Sequence, residues 1–396
     1  MKILAVISIL SIFICSCKKP DPMQDVITRS FDVVSHQAVA MAEYLGDQED
    51  RLPRSYVAEK DEIITSNSNW WCSGFFPGVL WYLYEYTGDP AHRELAETYS
   101  ARVEKEKFNS YDHDIGFQIN CSFGNGYRLT GREDYREVLK VAGESALKRF
   151  NPSLGVIKSW DSNPQKWQYP VIVDNMMNLE LLMWNYHETG NQIFIDVAVS
   201  HSDKTLEHHY RPDHSSYHVV SYDTLSGIPH MKQTHQGASD ESIWARGNAW
   251  GLYGYVVMYR ETKKPGYLDQ ANAIAQLMMD HPNMPEDGIP YWDYLAPEIP
   301  GALRDASAGA IMASALIELS TLTEGELSSR YLAFAEKQLT ALSSPEYLAE
   351  PGTNGFFILK RSVGHLPGKS EVDVPLTYAD YYFVEALLRY KALKGW

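Results

Sequence analysis

The chain has 396 residues, of which 44% are hydrophobic and 12% aromatic, enough apolar material for a large core. Its formal net charge of −16 argues against nucleic acid as a partner, because phosphate backbones bind basic surfaces. An anionic substrate must therefore be held by local cations. The 26 Tyr and 10 Trp suit ordinary cores as well as carbohydrate sites, where sugar rings pack on flat side chains.

The N-terminal segment MKILAVISILSIFICSC consists of a basic start and an apolar run that ends at Cys17. This pattern is typical of a secretory signal and is too short for a typical membrane-spanning helix. The ending ICSC resembles a bacterial lipoprotein signal, which predicts a signal peptide over 1–16 and lipid on the sulfur of Cys17. An ordinary signal peptide cut nearby is the alternative. Residues 17–24 then form a polar tether, and we expect a lipid-anchored protein on the periplasmic side of the inner or outer membrane, with surface display left open.

From about residue 25 onward, apolar residues recur at helical spacing, and one turn motif recurs with them. In each copy a helix ends near a threonine, often with glycine at the C-cap, and a second helix opens with polar residues. The threonines of the five copies are Thr87, Thr130, Thr189, Thr262 and Thr323. The pattern predicts helical hairpins, and terminal helices near 24–46 and 376–393 complete a sixth pair.

The helices that precede these turns carry Trp, Asn, Gly and Arg among their apolar residues, as in DNMMNLELLMWNYHETG over 174–190. Inward polar groups suit a ring of inner helices around a central cleft better than they suit an open solenoid. The sequence therefore predicts an all-α fold, a closed (α/α)6 toroid of six hairpins that forms one domain over 25–396.

Two aspartates stand at the starts of predicted inner helices. Asp114 lies in YDHDIGF, and Asp174 follows an apolar segment. Each could simply cap its helix. A carboxylate flanked by valine and methionine is poorly solvated, however, which raises its pKa toward that of a usable acid. Two carboxyl groups that face one cleft are the usual equipment of a glycosidase.

The segment HHYRPDHSSYH over 208–218 places His214 and His218 at a spacing of four. Proline and serines break the helix that would bring both imidazoles to one face, and the chain has no HExxH or paired CxxC motif, so we predict no metal and no cofactor. His218 stays open as either a hydrogen-bonding partner in the cleft or a loop histidine. Cys72 and Cys121 remain after the signal, and nothing in the sequence demands that they pair.

The helix within SDESIWARGNAWGLYGYV, over 239–256, presents Arg246 and Trp250 one turn apart among three glycines. A structural salt bridge is one explanation for the arginine. The other is a carboxylate-bearing sugar, which a guanidinium holds through two parallel hydrogen bonds while an indole packs on the ring. The glycines let a ligand or a neighbouring helix approach closely. The substrate explanation predicts that Arg246→Ala weakens turnover but leaves the fold intact.

Six stretches together resemble glycoside hydrolase family 88, the unsaturated glucuronyl hydrolases, over nearly the whole mature chain. They are WWCSGFFPG, HDIGF, VDNMMNLELLMW, THQGASDESIWARGNAWGLYG, RDASAGA and VDVPLTYADYYFVEALLRY. The resemblance implies an (α/α)6 barrel without metal that removes a 4,5-unsaturated uronic acid from the non-reducing end of lyase-generated oligosaccharides, glycosaminoglycan products foremost. The reaction is hydration of the C4=C5 bond, not displacement at C1.

The resemblance also implies a role for each matching residue. Asp174 is the general acid and base, and Asp114 is the second aspartate. The substrate contacts are His218, Gln236, Arg246 and Trp250 around the uronate, Trp71 and Trp160 as stacking walls, and Ser362, His365 and Lys369 in a loop that meets the next sugar. Because the acid must be protonated at working pH, we predict a mildly acidic optimum.

Three alternatives stay open. An unsaturated rhamnogalacturonyl or ulvan-oligosaccharide hydrolase would use the same chemistry. A toroid polysaccharide lyase, built on His218, Tyr222 and Arg246, would create the double bond that a hydrolase destroys. A glycan-binding lipoprotein without activity would need no aspartate at Asp174. The parent polysaccharide cannot be chosen from the sequence.

Overall fold

The computed structural model describes residues 21–396, so the predicted signal peptide and the lipid-carrying Cys17 lie outside the described residues. Twelve α-helices occur in this part of the chain. They are α1 (Pro22–Leu45), α2 (Phe75–Thr87), α3 (Pro90–Ala101), α4 (Asn125–Thr130), α5 (Glu133–Leu147), α6 (Leu179–Thr189), α7 (Gln192–His208), α8 (Ala245–Thr262), α9 (Pro265–Asp280), α10 (Ala306–Leu322), α11 (Gly325–Leu342) and α12 (Thr377–Lys394).

The even-numbered helices form a closed inner ring. A π-helical segment, Gly116–Gly124, precedes α4, and a 3-10 segment, Val173–Asn178, precedes α6. Contacts run from α2 through the π segment to α6, then to α8, α10 and α12, and from α12 back to α2. The odd-numbered helices pack outside this ring, with α1 against α12 and α2. The predicted (α/α)6 toroid is therefore confirmed, including its sixth pair of terminal helices.

Burial distinguishes the two rings. Inner helix α10 is buried on every side through most of its length, as its alanine-rich sequence ASAGAIMASALIELSTL allows. Outer helix α11 buries a single stripe of residues at helical spacing: Tyr331, Ala335, Gln338, Leu339 and Leu342. The inner ring thus supplies the core, while each outer helix keeps one face in solvent.

The recurring threonines tie each inner helix to the turn that follows. Every hydroxyl donates to the carbonyl four residues earlier, at 2.9 Å for Thr87 and Thr323 and at 2.6 Å for Thr130, Thr189 and Thr262. In the first four copies, the hydroxyl also accepts the backbone N–H two residues later. The threonine therefore satisfies groups that a helix end leaves unpaired.

Nine short strands lie between an outer helix and the next inner helix, and all pair antiparallel. They are β1 (Leu52–Val57), β2 (Glu62–Ser66), β3 (Phe150–Asn151), β4 (Val156–Ile157), β5 (Pro170–Ile172), β6 (Val219–Tyr222), β7 (Pro229–Gln233), β8 (Ser362–His365) and β9 (Ser370–Val374). The strands thus gather where the inner helices begin. They were not predicted from the sequence.

Two predictions about the chain's organisation need comment. Helix α1 begins at Pro22, where the side chain of Asp21 caps it by accepting the N–H of Met23 at 3.0 Å. The predicted tether over 17–24 is therefore too long, because its last three residues are helical. Cys72 and Cys121 are both buried and both free. Among residues 21–396, no helix is both long enough and apolar enough to cross a membrane.

The glycines of α8 admit protein neighbours rather than ligand. A Cβ at Gly251 would collide with the hydroxyl of Tyr210. A Cβ at Gly254 would lie 3.1 Å from the carbonyl oxygen of Met176 and closer still to its Cβ. These glycines therefore let the segment that carries Asp174 pack directly against α8.

We predict that Gly254→Ala lowers the free energy of unfolding by about 1–3 kcal/mol, because the inner ring has no room for the methyl group. Gly266→Ala in α9 is the matched control, since a methyl group there would meet no neighbouring part of the protein within 4 Å. Alanine there should be neutral or stabilising by roughly 0.5–1 kcal/mol. Chemical denaturation of both variants measures the difference, and equal midpoints would contradict the packing explanation.

Candidate active site

The N-terminal end of the inner ring opens into a cleft with a cavity volume of about 540 Å³, a size that suits a small oligosaccharide. The predicted site residues that line it are Trp71, Asp114, Trp160, Asp174, Gln236, Arg246 and His365. The inner helices begin here, so their dipoles place partial positive charge at the cleft. These dipoles partly offset the negative charge of the carboxyl groups that line the cleft.

A second cavity of about 620 Å³ opens where the inner helices end. It contains neither predicted aspartate. Its charged groups pair with one another, with Arg260 bonded to Glu180 at 2.6 Å and Arg389 to Glu385 at 3.2 Å. Although this cavity is the larger one, the chemistry lies at the other end of the ring.

Asp174 is a buried carboxyl group at the first turn of the 3-10 segment Val173–Asn178. Burial raises its pKa from the ordinary 3.8 to about 7, although the charge of Arg246 and the indole N–H of Trp250 act in the opposite direction. Its Oδ2 atom has no hydrogen-bond partner among the described residues. The group is thus a carboxylic acid that can hold a proton near neutral pH and present it to the cleft.

His218 is a fixed, neutral neighbour of Asp174. Its Nδ1 accepts the backbone N–H groups of His235 and Gln236 at 3.1 and 3.2 Å, so the ring proton resides on Nε2. That Nε2 lies 3.7 Å from Oδ2 of Asp174. Burial lowers the pKa of His218 well below its ordinary value, and the ring packs on Trp244 with centroids 4.4 Å apart. His218 therefore presents a donor beside the acid, while its own ring is buried behind Asp174 and is not among the residues that line the cleft.

Asp114 stands at the start of the neighbouring inner segment. Burial, together with the charges of Asp112 and Asp174, raises its pKa well above the ordinary value. Nε2 of His113 lies 3.5 Å from its Oδ1. The two predicted aspartates thus face one cleft, where the charge of Asp174 makes ionisation of Asp114 less favourable.

Asn178 joins the two segments that carry the aspartates. Its Oδ1 accepts the N–H of Phe117 at 2.9 Å. A Cβ at Gly116 would lie 2.6 Å from the same oxygen, so glycine is required in the HDIGF motif. The close contact between these segments fixes the separation of Asp114 and Asp174.

Arg246 forms the buried salt bridge that stood as one of its two explanations. One guanidinium nitrogen donates to Asp305 at 3.0 Å and to the carbonyl of Val363 at 2.5 Å, and the other donates to the carbonyl of Gly364 at 2.6 Å. Gln236 donates to the same Gly364 carbonyl at 3.0 Å. Both side chains line the cleft, and both also hold β8 in place.

The stacking role predicted for Trp250 is wrong. Its side chain is 1% exposed and packs between Phe117 and Tyr382, with ring centroids 5.3 Å away in each case. The indole of Trp250 is close enough to Asp174 to lower the pKa of that carboxyl group, and it does not line the cleft. Trp71 and Trp160 do line the cleft, as predicted for stacking walls.

The predicted contacts to a second sugar are largely wrong. Ser362 lies in β8 and is fully buried, and Lys369 is exposed at the hairpin turn and does not line the cleft. Of the three, His365 lines the cleft, with Nε2 at 2.9 Å from the carbonyl oxygen of His235. Ser362 and His365 stand at opposite ends of β8, and Lys369 lies outside both strands, so the three side chains do not share one surface.

Arg54, Trp70 and Glu371 are among the cleft residues that were missed. Arg54 of β1 pairs with Glu371 of β9 at 2.5 Å and lies over the ring of Trp70 at 4.1 Å. All three line the cleft. The tryptophan doublet in WWCSGFFPG could have pointed to Trp70, but Arg54 and Glu371 carry no signal without knowledge of the hairpins.

Tyr222, the tyrosine on which the lyase alternative depends, does not reach the cleft. Tyr222 is fully buried in β6, where it packs against His208 with ring centroids 5.6 Å apart, and it does not line the cleft. His214 also lies elsewhere, with Nδ1 at 2.9 Å from the side chain of Gln270. Across residues 21–396, no three His, Cys, Asp or Glu side chains are grouped so as to hold a metal ion.

We predict that Asp174→Asn stabilises the protein at alkaline pH. In the unfolded chain this carboxyl ionises above its ordinary pKa of 3.8, whereas in the folded protein it keeps its proton up to about 7. The folded state therefore binds more protons over this interval, and wild-type stability falls as the pH rises through it. The variant escapes this loss, which amounts to ~2–4 kcal/mol above pH 7.

Thermal unfolding of both proteins at pH 4 and pH 8 provides the measurement. We expect the variant's advantage to be small at pH 4 and large at pH 8. An advantage that does not depend on pH would show that Asp174 ionises normally in the folded protein.

The comparisons with known proteins agree with this geometry. The model for Glycosyl Hydrolase Family 88 matches residues 47–391. An unsaturated glucuronyl hydrolase of Formosa agariphila is 45% identical over 339 residues, covering 85% of this chain and 84% of the relative. The crystal structure of an unsaturated glucuronyl hydrolase specific for heparin superposes with a TM-score of 0.91 at 43% identity, covering 94% of this chain and 99% of that one. A mutant unsaturated glucuronyl hydrolase from Streptococcus agalactiae, complexed with dGlcA-GalNAc6S, superposes with a TM-score of 0.78 at 25% identity, covering 92% and 91% of the two chains.

Proposed function

The chain belongs to glycoside hydrolase family 88, and we propose that it removes the 4,5-unsaturated uronic acid from the non-reducing end of lyase-generated glycosaminoglycan oligosaccharides. The observation that carries the proposal is the buried acid Asp174, whose pKa is raised to about 7 and whose Oδ2 is unpartnered within the described residues. It shares the cleft with Asp114 and with aromatic walls at Trp71 and Trp160. The relatives described as unsaturated glucuronyl hydrolases, one of them specific for heparin, support the substrate class.

The proposed chemistry begins with proton transfer to carbon. Asp174, as the carboxylic acid, donates its proton to C4 of the enol ether, and positive charge develops at C5 and the ring oxygen. The resulting carboxylate accepts a proton from a water molecule as the water oxygen bonds to C5. The hemiketal so formed opens its ring to a ketone at C5 and a hemiacetal at C1. The hemiacetal then collapses to an aldehyde at C1 of the uronic acid, and the next sugar leaves with a free hydroxyl at its non-reducing end.

The neighbouring residues assist this step. The Nε2–H of His218 faces Oδ2 of Asp174 at 3.7 Å, where it helps to orient the carboxyl group. Asp114 shares the cleft with Asp174, where it can form hydrogen bonds with sugar hydroxyls. The helix N-termini and Arg246 compensate the charge of the uronate carboxylate.

Deuterium incorporation tests the proposed chemistry. Turnover of an unsaturated disaccharide in D2O should place one deuterium at C4 of the released uronic acid product, as read by mass spectrometry at early times. A displacement at C1 would leave C4 unlabelled and the double bond intact, and would overturn the proposal.

We also propose that Cys17 carries a lipid anchor that holds the enzyme on the periplasmic side of a membrane. The ICSC ending of the N-terminal apolar run supports this placement. The test is fractionation of cells that express the full chain, with Cys17→Ala as the variant. Wild type should sediment with membranes and the variant should become soluble, and equal distribution of the two would contradict lipidation.

A further inference from the structure

Four buried polar atoms behind Asp114 lack hydrogen-bond partners among the described residues. They are Nδ1 of His113, Nη2 of Arg149, Oδ1 of Asn175 and Nδ2 of Asn178. Each residue is more than nine-tenths buried. Unpaired polar atoms in a protein interior are costly, and four together require an explanation.

All four residues line one internal cavity of about 10 Å³, whose other walls are buried apolar side chains. One water molecule needs roughly this much space, about 10–15 Å³. We propose that the cavity is a binding site for a single structural water, and that this water fixes His113 as a hydrogen-bond donor to Asp114.

The orientation of the two amides follows from their other bonds. Oδ1 of Asn178 accepts the N–H of Phe117 at 2.9 Å, so its Nδ2 is left as a donor. Nδ2 of Asn175 donates to the carbonyl of Ile157 at 3.0 Å, so its Oδ1 is left as an acceptor. Neither amide can be reversed without losing a backbone hydrogen bond.

Arg149 supplies the second donor. Its Nε donates to the carbonyl of Lys158 at 3.0 Å, and its Nη1 donates to the carbonyl of Ser110 at 3.2 Å and to Asp161 at 2.6 Å. Its Nη2 has no such partner among the described residues. The hydrogen bonds of Nε and Nη1 therefore fix the orientation of the guanidinium and leave Nη2 as a donor.

A water molecule accepts two hydrogen bonds and donates two. It accepts from Arg149 and Asn178 and donates one proton to Asn175. Its remaining proton is accepted by Nδ1 of His113 when the ring proton resides on Nε2, which is the tautomer that we propose. A direct hydrogen bond from Nδ1–H of His113 to Asn175 is the alternative that the tautomer measurement distinguishes. A halide ion would meet the two donors but would be repelled by the Asn175 oxygen, so the donor set favours water.

The proposed water affects the active site through His113. Nε2 of His113 lies 3.5 Å from Oδ1 of Asp114, and the backbone N–H of His113 donates to the carbonyl of Ser159 at 3.0 Å. Burial lowers the pKa of His113 to about 3, so the ring stays neutral at working pH. His113 is thus a positioning residue that aims a neutral N–H at Asp114. The effect on turnover rests on the proposed function, whereas the water and the tautomer do not.

The first test is a crystal structure of the mature chain, together with a bromide soak. We expect one water within about 2.7–3.2 Å of all four atoms and no anomalous signal there. An empty cavity or a bromide peak would overturn the proposal. Histidine-selective nitrogen NMR adds a second reading, because His113 should show the Nε2–H tautomer between pH 5 and 8, and the opposite tautomer would refute it.

The activity test compares Asn175→Leu with Asn175→Ser. Both variants lose the hydrogen bond to Ile157, but the leucine side chain fills the cavity whereas serine leaves room for water. We expect kcat/KM of the leucine variant to lie ~10-fold or more below that of the serine variant, with a shifted pH profile. If the two variants share one pH profile and the leucine variant keeps the wild-type tautomer, the water does not position His113. If neither variant nor wild type turns over substrate while the crystal and NMR results hold, the proposed function fails and the water site stands.

Discussion

Asp174→Asn is expected to lower kcat by ~10²–10⁴-fold, because the amide cannot protonate carbon and general acid–base groups contribute about this much. The fold should survive, since the buried carboxyl is already an energetic cost at neutral pH. The measurement is the initial rate on an unsaturated disaccharide. Asp380→Asn is the matched control, because Asp380 is also buried with its pKa raised to about 8 but lies outside the cleft.

The pH dependence of kcat/KM is a second test of the role of Asp174. The acid form of Asp174 is the active one, so kcat/KM should fall as the pH rises past about 7. Asp380→Asn should keep this alkaline limb unchanged. A wild-type profile that still rises above pH 8, or an Asp174→Asn variant with normal turnover, would remove Asp174 from the chemistry.

Arg246→Ala is expected to lower the free energy of unfolding by about 3–5 kcal/mol, because it leaves a buried carboxylate without its partner. The side chains of Arg246 and Asp305 are 2% and 0% exposed. The variant also removes two hydrogen bonds to β8, which carries His365 at its end. Turnover should therefore fall together with stability.

Urea unfolding at pH 7 measures this effect. Arg136→Ala is the control, since its pairs with Glu133 and Glu188 are partly exposed and the substitution should change the unfolding midpoint little. Should Arg246→Ala unfold like the wild type and merely raise KM, Arg246 would act through substrate alone.

The toroid could be predicted from the sequence because its signals are local. A threonine that bonds back to its own helix marks each of the five turns, and at several of them a glycine follows directly, as at Thr87 and Gly88. The aspartates were also predictable, since each follows an apolar segment or a polar run and begins an inner segment. The local pattern was sufficient to predict a buried acid, because valine and methionine residues flank Asp174 in the sequence.

The wrong and missing site predictions concern side-chain orientation and long-range contacts, which local sequence patterns do not specify. Trp250 and Arg246 share one face of α8. Helical periodicity does not reveal that Arg246 reaches the cleft whereas Trp250 is buried in the core. Ser362 and Lys369 depend on the register of the hairpin formed by β8 and β9, which bulges between Ser362 and Val363. The pair formed by Arg54 and Glu371 joins residues 317 positions apart, so no local pattern could reveal it.

The most direct test of the proposed activity is the ultraviolet absorbance of the unsaturated uronate over time. The substrates would be lyase-derived disaccharides of chondroitin, hyaluronan and heparin, each with and without sulfate, and the intact polymers would be run beside them. We predict decay on at least one glycosaminoglycan disaccharide, abolished in Asp174→Asn, and the preferred disaccharide would identify the parent polysaccharide. Absorbance that stays flat on every disaccharide, or that rises on an intact polymer as a lyase would make it, would contradict the proposed function.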